Sequence, residues 1–402
     1  MTTTKNNEHK ELNVPNLRFP EFEGEWEKCI LGDITENFNL RNKDKIQYPM
    51  FSVTNDRGFV PQSEQFEGRD MVGEDIKAYK IIHTNDFAYN PARINVGSIA
   101  MYTGEKPCMI SSLYVCFKTT KEVNNEWLMQ LLKTPKMNYY YNVNGEGGVR
   151  VYLFYPNFAR IRMSIPKIEE QKKIAKLLNL IDERIATQNK IIEDLKKLKS
   201  AIIENVFDDK HSERLQLDNV GSYIRGLTYS SNDVVEHGGT LVMRSNNIVN
   251  GSLLDYNNNV VFVNKQMSAE QQLQNGDIVI CMANGSSSLV GKSSFYDGNW
   301  HSPITVGAFC GIYRSKEPIV KWLFQTNKYR RYIWNSLQGG NGAIANLNGE
   351  DILNMSFSIP NAPIKDTCVK MLTSVDSALE NNMSLCALYT LQKQHLLCQM
   401  FI

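Results

Sequence analysis

Side chains that can hydrogen-bond to DNA recur on predicted loops in both halves of this chain. In the first half the candidates for DNA contact are Ser52, Thr54, Asn55, Arg57, Asn90, Arg93, Asn95, Arg150 and Tyr152. In the second half they are Arg244, Ser245, Asn246, Asn247, Asn284, Ser286, Lys292, Asn341 and Asn346. Arginine matches the major-groove edge of guanine and asparagine that of adenine, while hydroxyl groups serve bases or phosphates. The same residue types form ordinary turns, so these segments alone leave both interpretations open.

No residue pattern predicts catalysis. Asn90-Pro91 begins like the target-base clamp of adenine-N6 methyltransferases, but Ala92 and Arg93 follow, so the aromatic ring that stacks on a flipped base is missing. The six histidines lack zinc-ligand spacing, and the glycine-rich segments lack the order of a phosphate-binding loop. We therefore predict neither a catalytic residue nor a metal ligand.

The length and net charge of the chain limit the classes of protein to which it can belong. The 402 residues are enough for two or three domains, and 42% of them are apolar. Lys and Arg number 44 against 43 Asp and Glu, a net charge of +1 that argues against binding by bulk positive charge. The polar start, the absence of a membrane-length apolar run and eight cysteines without a C-x-x-C pair predict a cytoplasmic protein.

The chain contains an internal repeat. Residues 164–166, Ser-Ile-Pro, recur at 358–360, and the same offset of 194 residues pairs Asp182 with Asp376. Short β-like runs at 99–102, 113–117, 277–281 and 311–313, with predicted helices over 125–142 and 318–336, indicate mixed α/β globular parts. We interpret the chain as two copies, each a globular part followed by a long helix.

A 4-3 spacing of apolar residues, typical of paired helices, marks both long helices. The predicted helix-pairing residues are Ile174, Leu178, Ile181, Ile185, Gln188, Ile192 and Leu195 in the first copy, and Leu372, Val375, Leu379, Asn382, Tyr389 and Leu396 in the second. The stripes have polar breaks at equivalent steps, Gln188 with Asn382 and Lys199 with Lys393. Matching breaks favour pairing of the two helices with each other.

Several segments resemble the specificity subunit of type I restriction–modification systems. They are Val14–Phe22 with Trp26, Leu31–Ile34, Asn90–Ile99, Ile165–Asp182 and Leu391–Phe401, which together extend over most of the chain. The start of the first long helix, Ile-Pro-Lys-Ile-Glu-Glu-Gln-Lys-Lys-Ile, is the most specific of them. The second copy departs from this pattern at 361–368, where the Glu-Gln-Lys-Ile sequence is missing.

The resemblance implies an α/β (α+β) architecture. Two similar mixed α/β target-recognition domains, 1–163 and 209–357, are expected to be separated by two long helices. These spacers, the central helix 164–208 and the C-terminal helix 358–402, are expected to pair as an antiparallel coiled coil with a pseudo-twofold internal repeat. Each domain would read one half of a bipartite target in double-stranded DNA, and the helices would set the half-site spacing.

The same resemblance implies partners. Two modification (methyltransferase) subunits would dock on the helices, and restriction/translocase subunits would join them in a phage-defence complex. S-adenosylmethionine, ATP and Mg²⁺ are expected on those partner subunits and no cofactor on this chain, which would be non-catalytic and without a membrane partner. Two alternatives remain open at this point: a coiled-coil adaptor whose globular parts bind protein, and a stand-alone adenine-N6 methyltransferase with a degenerate Asn90-Pro91 motif.

Overall fold

The structure, a computed structural model, describes residues 12–65, 76–147, 151–208, 213–338 and 345–402. It divides into two compact units. Unit 1 holds Met1–Asn189 together with Ser384–Ile402, and unit 2 holds Lys190–Met383. Each unit therefore consists of a globular part and a portion of each of the two long helices.

The globular part of unit 1 consists of short strands and helices, with a four-stranded antiparallel sheet in the order β2-β9-β6-β7. Smaller pairs are β1 with β10, β3 with β4 and β5 with β8. The bounds are β1 Glu27–Ile30, α1 Leu31–Ile34, β2 Thr35–Phe38, β3 Phe51–Thr54, β4 Gly58–Pro61, α2 Gln62–Gln65, β5 Lys80–Ile82, β6 Phe87–Tyr89, β7 Ile99–Met101, β8 Cys108–Ile110, β9 Val115–Thr119, α3 Asn125–Leu132, α4 Pro135–Asn144, α5 Tyr155–Ala159 and β10 Arg162–Ile165.

The two long helices are α6, Ile168–Val206, and α11, Ala362–Gln399, with 39 and 38 residues. Each begins shortly after a strand that ends in Ser-Ile-Pro, as the sequence predicts. Proline fixes the backbone and restricts the residue before it, so the strand ends there and the helix starts beyond it. In the described residues no helix combines enough length with enough apolar character to cross a bilayer.

Unit 2 repeats the order of elements in unit 1. Its antiparallel sheet β12-β20-β16-β18 corresponds to β2-β9-β6-β7, and β11 with β22 corresponds to β1 with β10. A second sheet, β13-β15-β14-β19, contains the parallel pair β14 and β19. The bounds are β11 Glu213–Gln216, α7 Leu217–Val220, β12 Gly221–Arg225, β13 Val234–Val235, β14 Thr240–Met243, β15 Val261–Val263, β16 Ile278–Cys281, β17 Ala283–Asn284, β18 Ser293–Phe295, β19 Ile304–Val306, β20 Cys310–Ser315, α8 Val320–Leu323, α9 Asn327–Gln338, β21 Ala345–Asn346, α10 Gly349–Leu353 and β22 Ser356–Ile359.

The predicted helices over 125–142 and 318–336 are each broken into two. In unit 1 the break falls at Thr134-Pro135, where the Thr134 hydroxyl accepts a hydrogen bond from the backbone N–H of Met137 at 3.2 Å. In unit 2 the Thr326 hydroxyl accepts from the N–H of Tyr329 at 3.0 Å. A threonine that caps a new helix, with proline tolerated at the first helical position, ends one helix and starts the next.

Each unit has a core that includes residues of both long helices. In unit 1, Trp127 and Phe158 pack with Leu178 of α6 and with Phe401, and the rings of Trp127 and Phe401 lie 5.9 Å apart. In unit 2, Ile203 of α6 and Leu372 of α11 join the core of the globular part. The two helices are therefore part of the folded units rather than additions to them.

The segments that carry the family resemblance meet at the start of α6. Arg18 forms two hydrogen bonds of 2.8 Å with the buried carboxylate of Glu170, to which the indole N–H of Trp26 also donates at 3.2 Å. The hydrogen bonds and charge of Glu170 raise the pKa of Arg18, although its partial burial opposes this. The fold class expected from sequence, two mixed α/β parts with two long helices in an internal repeat, is confirmed.

Candidate nucleic-acid interface

Two predicted loops of unit 1 are held together beside α4. Asn55 and Arg57 lie in the exposed turn between β3 and β4, and Asn95 lies in the turn Ile94–Val96 that follows β6. The Ser98 hydroxyl donates to the carbonyl of Val53 at 2.7 Å and connects these turns. The side-chain amide of Asn95 donates to Oδ1 of Asn142 on α4 at 3.0 Å.

These contacts form a groove between the turns and the end of α3 and start of α4. It is lined by Asn55, Asn95, Lys133 and Asn138, among others. Gly97, with φ of +100°, closes the turn, and a Cβ atom there would lie 3.2 Å from the carbonyl oxygen of Asn55. Glycine is therefore required both for the backbone conformation and for the close approach of the two turns.

The segment that resembles a methyltransferase clamp forms a turn. The side-chain oxygen of Asn90 accepts a hydrogen bond from the N–H of Ala92 at 3.0 Å, and the exposed Arg93 follows. Tyr152 lies close by, because the N–H of Leu153 donates to the carbonyl of Pro91 at 2.9 Å. The structure thus brings together Asn90, Arg93 and Tyr152, which the sequence predicts from separate segments.

The candidates of unit 2 form a corresponding surface. The amide of Asn284 donates to the hydroxyl of Ser245 at 3.3 Å, and its Oδ1 accepts from the N–H of Ser286 at 3.0 Å. Asn346 is in β21, which pairs with β17 next to Asn284. Because Asn90 and Asn284 follow the equivalent strands β6 and β16, the two units present their predicted loops at the same place in the fold.

Three candidates are occupied by structural contacts. Asn247 is 0% exposed, and its amide donates to the carbonyls of Asp255 and Asn258. Ser52 is buried and accepts from Gln62. Thr54 uses its hydroxyl within its own turn, donating to the carbonyl of Gly58. The side-chain polar atoms of Asn247 and Ser52 are therefore used inside the fold, and DNA contact by these two residues stays a prediction.

The remaining candidates divide by exposure. Arg244 is half-buried, with a guanidinium that donates to the carbonyl of Asn259 at 2.8 Å, while Lys292 is also half-buried. Arg57, Arg93, Asn246, Ser286 and Asn346 are exposed. Arg150 and Asn341 lie outside the described residues.

The predicted helix-pairing residues lie along the buried stripes of α6 and α11. Buried members are Ile174, Leu178, Ile181, Gln188, Leu372 and Leu379, and half-buried members are Ile185, Ile192, Leu195, Val375, Asn382, Tyr389 and Leu396. Within unit 1 the helices run antiparallel, because contacts pair Asp182 with Lys393 and Arg184 with Tyr389. Ile174 and Leu178 also pack into the globular core, a role that periodicity alone does not distinguish from helix pairing.

An ion pair joins the helices at equivalent places in each unit. In unit 1, Lys393 Nζ lies 2.6 Å from Asp182 Oδ1. In unit 2, Lys199 Nζ lies 2.6 Å from Asp376 Oδ1, and Lys321 Nζ is 2.9 Å from Oδ2 of the same carboxylate. The offset of 194 residues that relates Asp182 to Asp376 also relates Lys199 to Lys393, so each helix contributes one acid and one base to these pairs.

The pair in unit 2 is the more deeply buried. Burial opposes the charge of Asp376, but Lys199 and Lys321 outweigh it and hold the pKa of the carboxyl below its ordinary value. Burial lowers the pKa of Lys199 despite the neighbouring carboxylate. The indole N–H of Trp322 donates to Asp376 at 3.1 Å, and Lys199 donates to the carbonyl of Gly251 at 3.0 Å, so the buried charges have several partners.

Sequence reasoning missed residues that the end of α3, helix α4 and helix α9 bring to the predicted loops. In unit 1 these are Lys133 and Asn138, and in unit 2 they are Arg330 and Trp334, which line a groove with Lys292. Their helices pack beside the loops only in the folded chain. One signal was available: α9 carries Lys328, Arg330 and Arg331 without an acidic residue. Within the described part of the chain, no group of His, Cys, Asp or Glu residues could hold a metal ion.

Comparison with known proteins agrees with this geometry. Residues 23–197 match the family described as "Type I restriction modification DNA specificity domain". The chain resembles type I restriction–modification specificity subunits. The EcoKI specificity subunit of Escherichia coli (strain K12) is 35% identical over 155 residues, which cover 36% of this chain and 31% of that protein. The putative MjaX specificity subunit of Methanocaldococcus jannaschii is 26% identical over 209 residues, covering 50% of this chain and 49% of that one. The aligned part of the chain thus spans half or less of the length of these two sequence relatives.

Solved specificity-subunit structures share the fold. The S subunit of the type I restriction–modification system from M. genitalium matches with a TM-score of 0.61 and 12% identity, covering 97% of this chain and 99% of that one. A structure from a study of assembly and conformational transition of the type I R-M system matches with a TM-score of 0.52, covering 92% and 96%. At this identity the likeness shows a shared fold and nothing more.

Proposed function

We propose that this chain is the non-catalytic, sequence-specific DNA-recognition subunit of a type I restriction–modification complex. Each globular part would read one half of a bipartite target in double-stranded DNA. The observation that carries the proposal is the repeated surface after the equivalent strands β6 and β16: a half-buried asparagine, Asn90 or Asn284, is followed by an exposed polar residue, Arg93 in unit 1 and Ser286 in unit 2. The family match over residues 23–197 supports the same conclusion.

The residue types indicate which side chains of this chain would contact DNA. Arg93 and Asn95 in unit 1, and Asn246 and Ser286 in unit 2, are suited to base edges or phosphates. The other proposed contact residues are Asn55, Arg57, Asn90, Tyr152, Arg244, Ser245, Asn284, Lys292 and Asn346, together with Thr54, Arg150 and Asn341. Ser52 and Asn247 would have to leave their buried positions to reach DNA, and they are the least suited of the candidates. With a net charge of +1, the chain would leave much of the phosphate neutralisation to its partners.

The long helices would act as spacers between the half-sites. At 1.5 Å per residue, a helix of 39 residues is about 58 Å long, which corresponds to about 17 base pairs of DNA at about 3.4 Å each. The proposed boundaries remain 1–163 and 209–357 for the recognition domains, with 164–208 and 358–402 as spacers.

The same helices would dock two modification subunits, to which restriction/translocase subunits could be added. Helix α11 supports this role, because Leu388 and Leu391 are 61% and 60% exposed, and Met383 and Leu385 are 43% and 40% exposed. Apolar side chains in such numbers on one helix are typical of a surface that a partner covers. The methyl donor and the methyltransferase chemistry would belong to those partners.

Mapping of methylated adenines tests the spacer role. We expect the wild-type chain with its modification subunits to direct methylation to a bipartite sequence with a fixed gap. Deleting one heptad from each helix, residues 185–191 and 379–385, removes about 10 Å of spacer and should shorten the gap by about three base pairs. Assembly with the modification subunits serves as the folding control. An assembled variant that methylates with an unchanged gap would contradict the spacer proposal.

Exchange of one globular part tests the assignment of half-sites. Replacing residues 211–357 with the corresponding part of another specificity subunit should change one half of the methylated sequence and leave the other intact. The reciprocal exchange of residues 1–163 is the matched control and should change the opposite half. If either exchange alters both halves, the two parts do not read DNA independently.

A further inference from the structure

A groove in unit 2 lies between the turn Ser287–Leu289 and helix α9. Its lining is more polar and more positively charged than packing within the fold requires. Its lining includes Lys292, Arg330, Trp334 and the hydroxyl residues Ser287 and Ser288. No aspartate or glutamate lines it, and within the described residues neither Lys292 nor Arg330 forms an ion pair. The groove therefore has two cations without a protein counter-ion, beside hydroxyl groups.

Trp334 gives the groove an exposed aromatic face. All five tryptophans lie in described segments, and Trp26, Trp127 and Trp322 are buried, whereas Trp334 is 64% exposed. Counting from the helix caps Thr134 and Thr326, Trp334 occupies the position that Asn142 holds on α4. In unit 1 that position is closed by the hydrogen bond from Asn95, so the tryptophan is a difference between the two units.

The groove is also pre-formed. The buried hydroxyl of Tyr329 donates to the carbonyl of Gly291 at 2.7 Å and joins α9 to the turn. Gly291 has φ of +81°, and a Cβ atom there would lie 2.7 Å from Ile333 Cγ1, so the backbone contacts the helix directly. These contacts fix Lys292 relative to Arg330 without a ligand, which lowers the entropic cost of binding one.

We propose that this groove binds the sugar–phosphate backbone of the target DNA, with Arg330 and Lys292 on neighbouring phosphates and Trp334 packed on the deoxyribose. Positive charge without counter-ions complements phosphates, and an aromatic face can pack on the deoxyribose of any sequence. The groove continues the predicted surface, since Ser286, bonded to Ser288 at 2.9 Å, precedes it in the same loop. This assignment rests on the proposed function.

Substitutions separate this role from base reading. Trp334→Ala should weaken DNA binding about tenfold, as expected when a large aromatic ring no longer packs on the ligand. Trp334→Phe, which keeps a ring, is the matched control and should retain most of the affinity. Arg330→Gln and Lys292→Gln should each reduce the slope of log affinity against log salt by about 1. Because backbone contacts carry no sequence information, all of these losses should be equal on target and random duplexes.

Hydroxyl-radical footprinting read by mass spectrometry gives the direct test. Oxidation of Trp334 is measured in the full chain alone, in the complex with modification subunits, and in that complex with a duplex carrying the mapped methylation target. We expect strong oxidation in the first two states and at least a threefold decrease when the duplex is added. Protection by the modification subunits alone would assign the groove to a protein partner and overturn the inference.

Two further results have distinct meanings. If the wild-type complex binds the duplex while Trp334 stays as reactive as in the free chain, the inference fails and the proposed function stands. If the wild-type complex shows no preference for the mapped duplex over a random one, the proposed function itself fails. Equal affinities of Trp334→Ala and wild type for DNA would also overturn the inference.

Discussion

The ion pairs Asp182–Lys393 and Lys199–Asp376 occupy equivalent places in the repeat but differ in exposure, and this difference predicts different energies. The side chains of Lys199 and Asp376 are 9% and 8% exposed, whereas those of Lys393 and Asp182 are 18% and 41% exposed. Replacing a lysine with methionine keeps most of its length and removes its charge. We compare Lys199→Met with Lys393→Met as a matched pair.

The expected loss of stability depends on how well water or another cation can reach the carboxylate that has lost its lysine. Removing one partner of a buried pair costs about 3–5 kcal/mol, because the other charge stays out of water. We expect about 3 kcal/mol for Lys199→Met, at the lower end, since Asp376 keeps Lys321 at 2.9 Å. Water can reach Asp182 when Lys393 is lost, so Lys393→Met should cost about 1 kcal/mol or less.

Hydrogen exchange measured by mass spectrometry reports each unit separately. A loss of about 3 kcal/mol raises the local opening constant about 150-fold, and a loss of about 1 kcal/mol raises it about fivefold. Peptides that cover 195–206 and 368–380 should therefore exchange much faster in Lys199→Met. Peptides that cover 174–186 and 386–397 should change little in Lys393→Met.

A double variant provides the check on the explanation. In Lys199→Met with Asp376→Asn the uncompensated carboxylate charge is gone, while an amide oxygen remains to accept hydrogen bonds from Trp322 and Lys321, so a large part of the lost stability should return. Equal costs for Lys199→Met and Lys393→Met would refute the argument from burial. A double variant as unstable as the sum of its single changes would show that the pair contributes through packing rather than charge.

Three further predictions concern stability and thiol chemistry. Because the pKa of Asp376 is lowered in the folded chain, unit 2 should lose stability as the pH falls below about 4, and Asp376→Asn should flatten that part of an acid-unfolding curve. Arg314 binds Asp277 through Nε and Nη2 at 2.8 and 2.6 Å, so Arg314→Lys should lower the free energy of unfolding in urea by about 1–3 kcal/mol; an unchanged midpoint would contradict this. In the native chain a thiol reagent at pH 8 should modify the exposed Cys398 rapidly and spare Cys116, whose pKa burial raises to about 12; equal rates would mean that Cys116 is accessible.

The parts of the fold that periodicity encodes could be predicted. The long helices follow from the 4-3 stripe, and their starts follow from Ser-Ile-Pro, because proline limits the backbone locally. The prediction of one continuous helix over 125–142 was wrong. The pattern of apolar residues continues through Thr134 and Pro135, but the helical backbone ends before them and a second helix begins. Pairs such as β1 with β10 and β2 with β9 join residues far apart in the chain and have no local signal, unlike the hairpin of β3 and β4.

The candidate site was predictable in position but not residue by residue. Loops after equivalent strands were found because the repeat marks the same places twice. Whether an asparagine faces solvent or the interior depends on the neighbours that folding supplies: Asn246 is exposed, while the adjacent Asn247 is fully buried. Trp334 was missed for the same reason, since its exposure is decided by how α9 packs and not by its own sequence.

The division of each long helix between the units also bears on how the protein is made. The core of unit 1 contains Leu397, Met400 and Phe401, which lie about two hundred residues after Asn189, the last residue that the amino-terminal segment gives to the unit. At a synthesis rate of about 5–20 residues per second, the ribosome needs about 10–40 s to cover that interval. During this time the first globular part has an open apolar face where Phe401 later packs on Trp127. The globular part of unit 1 therefore completes its core only after residues 397–401 have been synthesised, so a chain that stops before Leu397 would lack part of the core of unit 1.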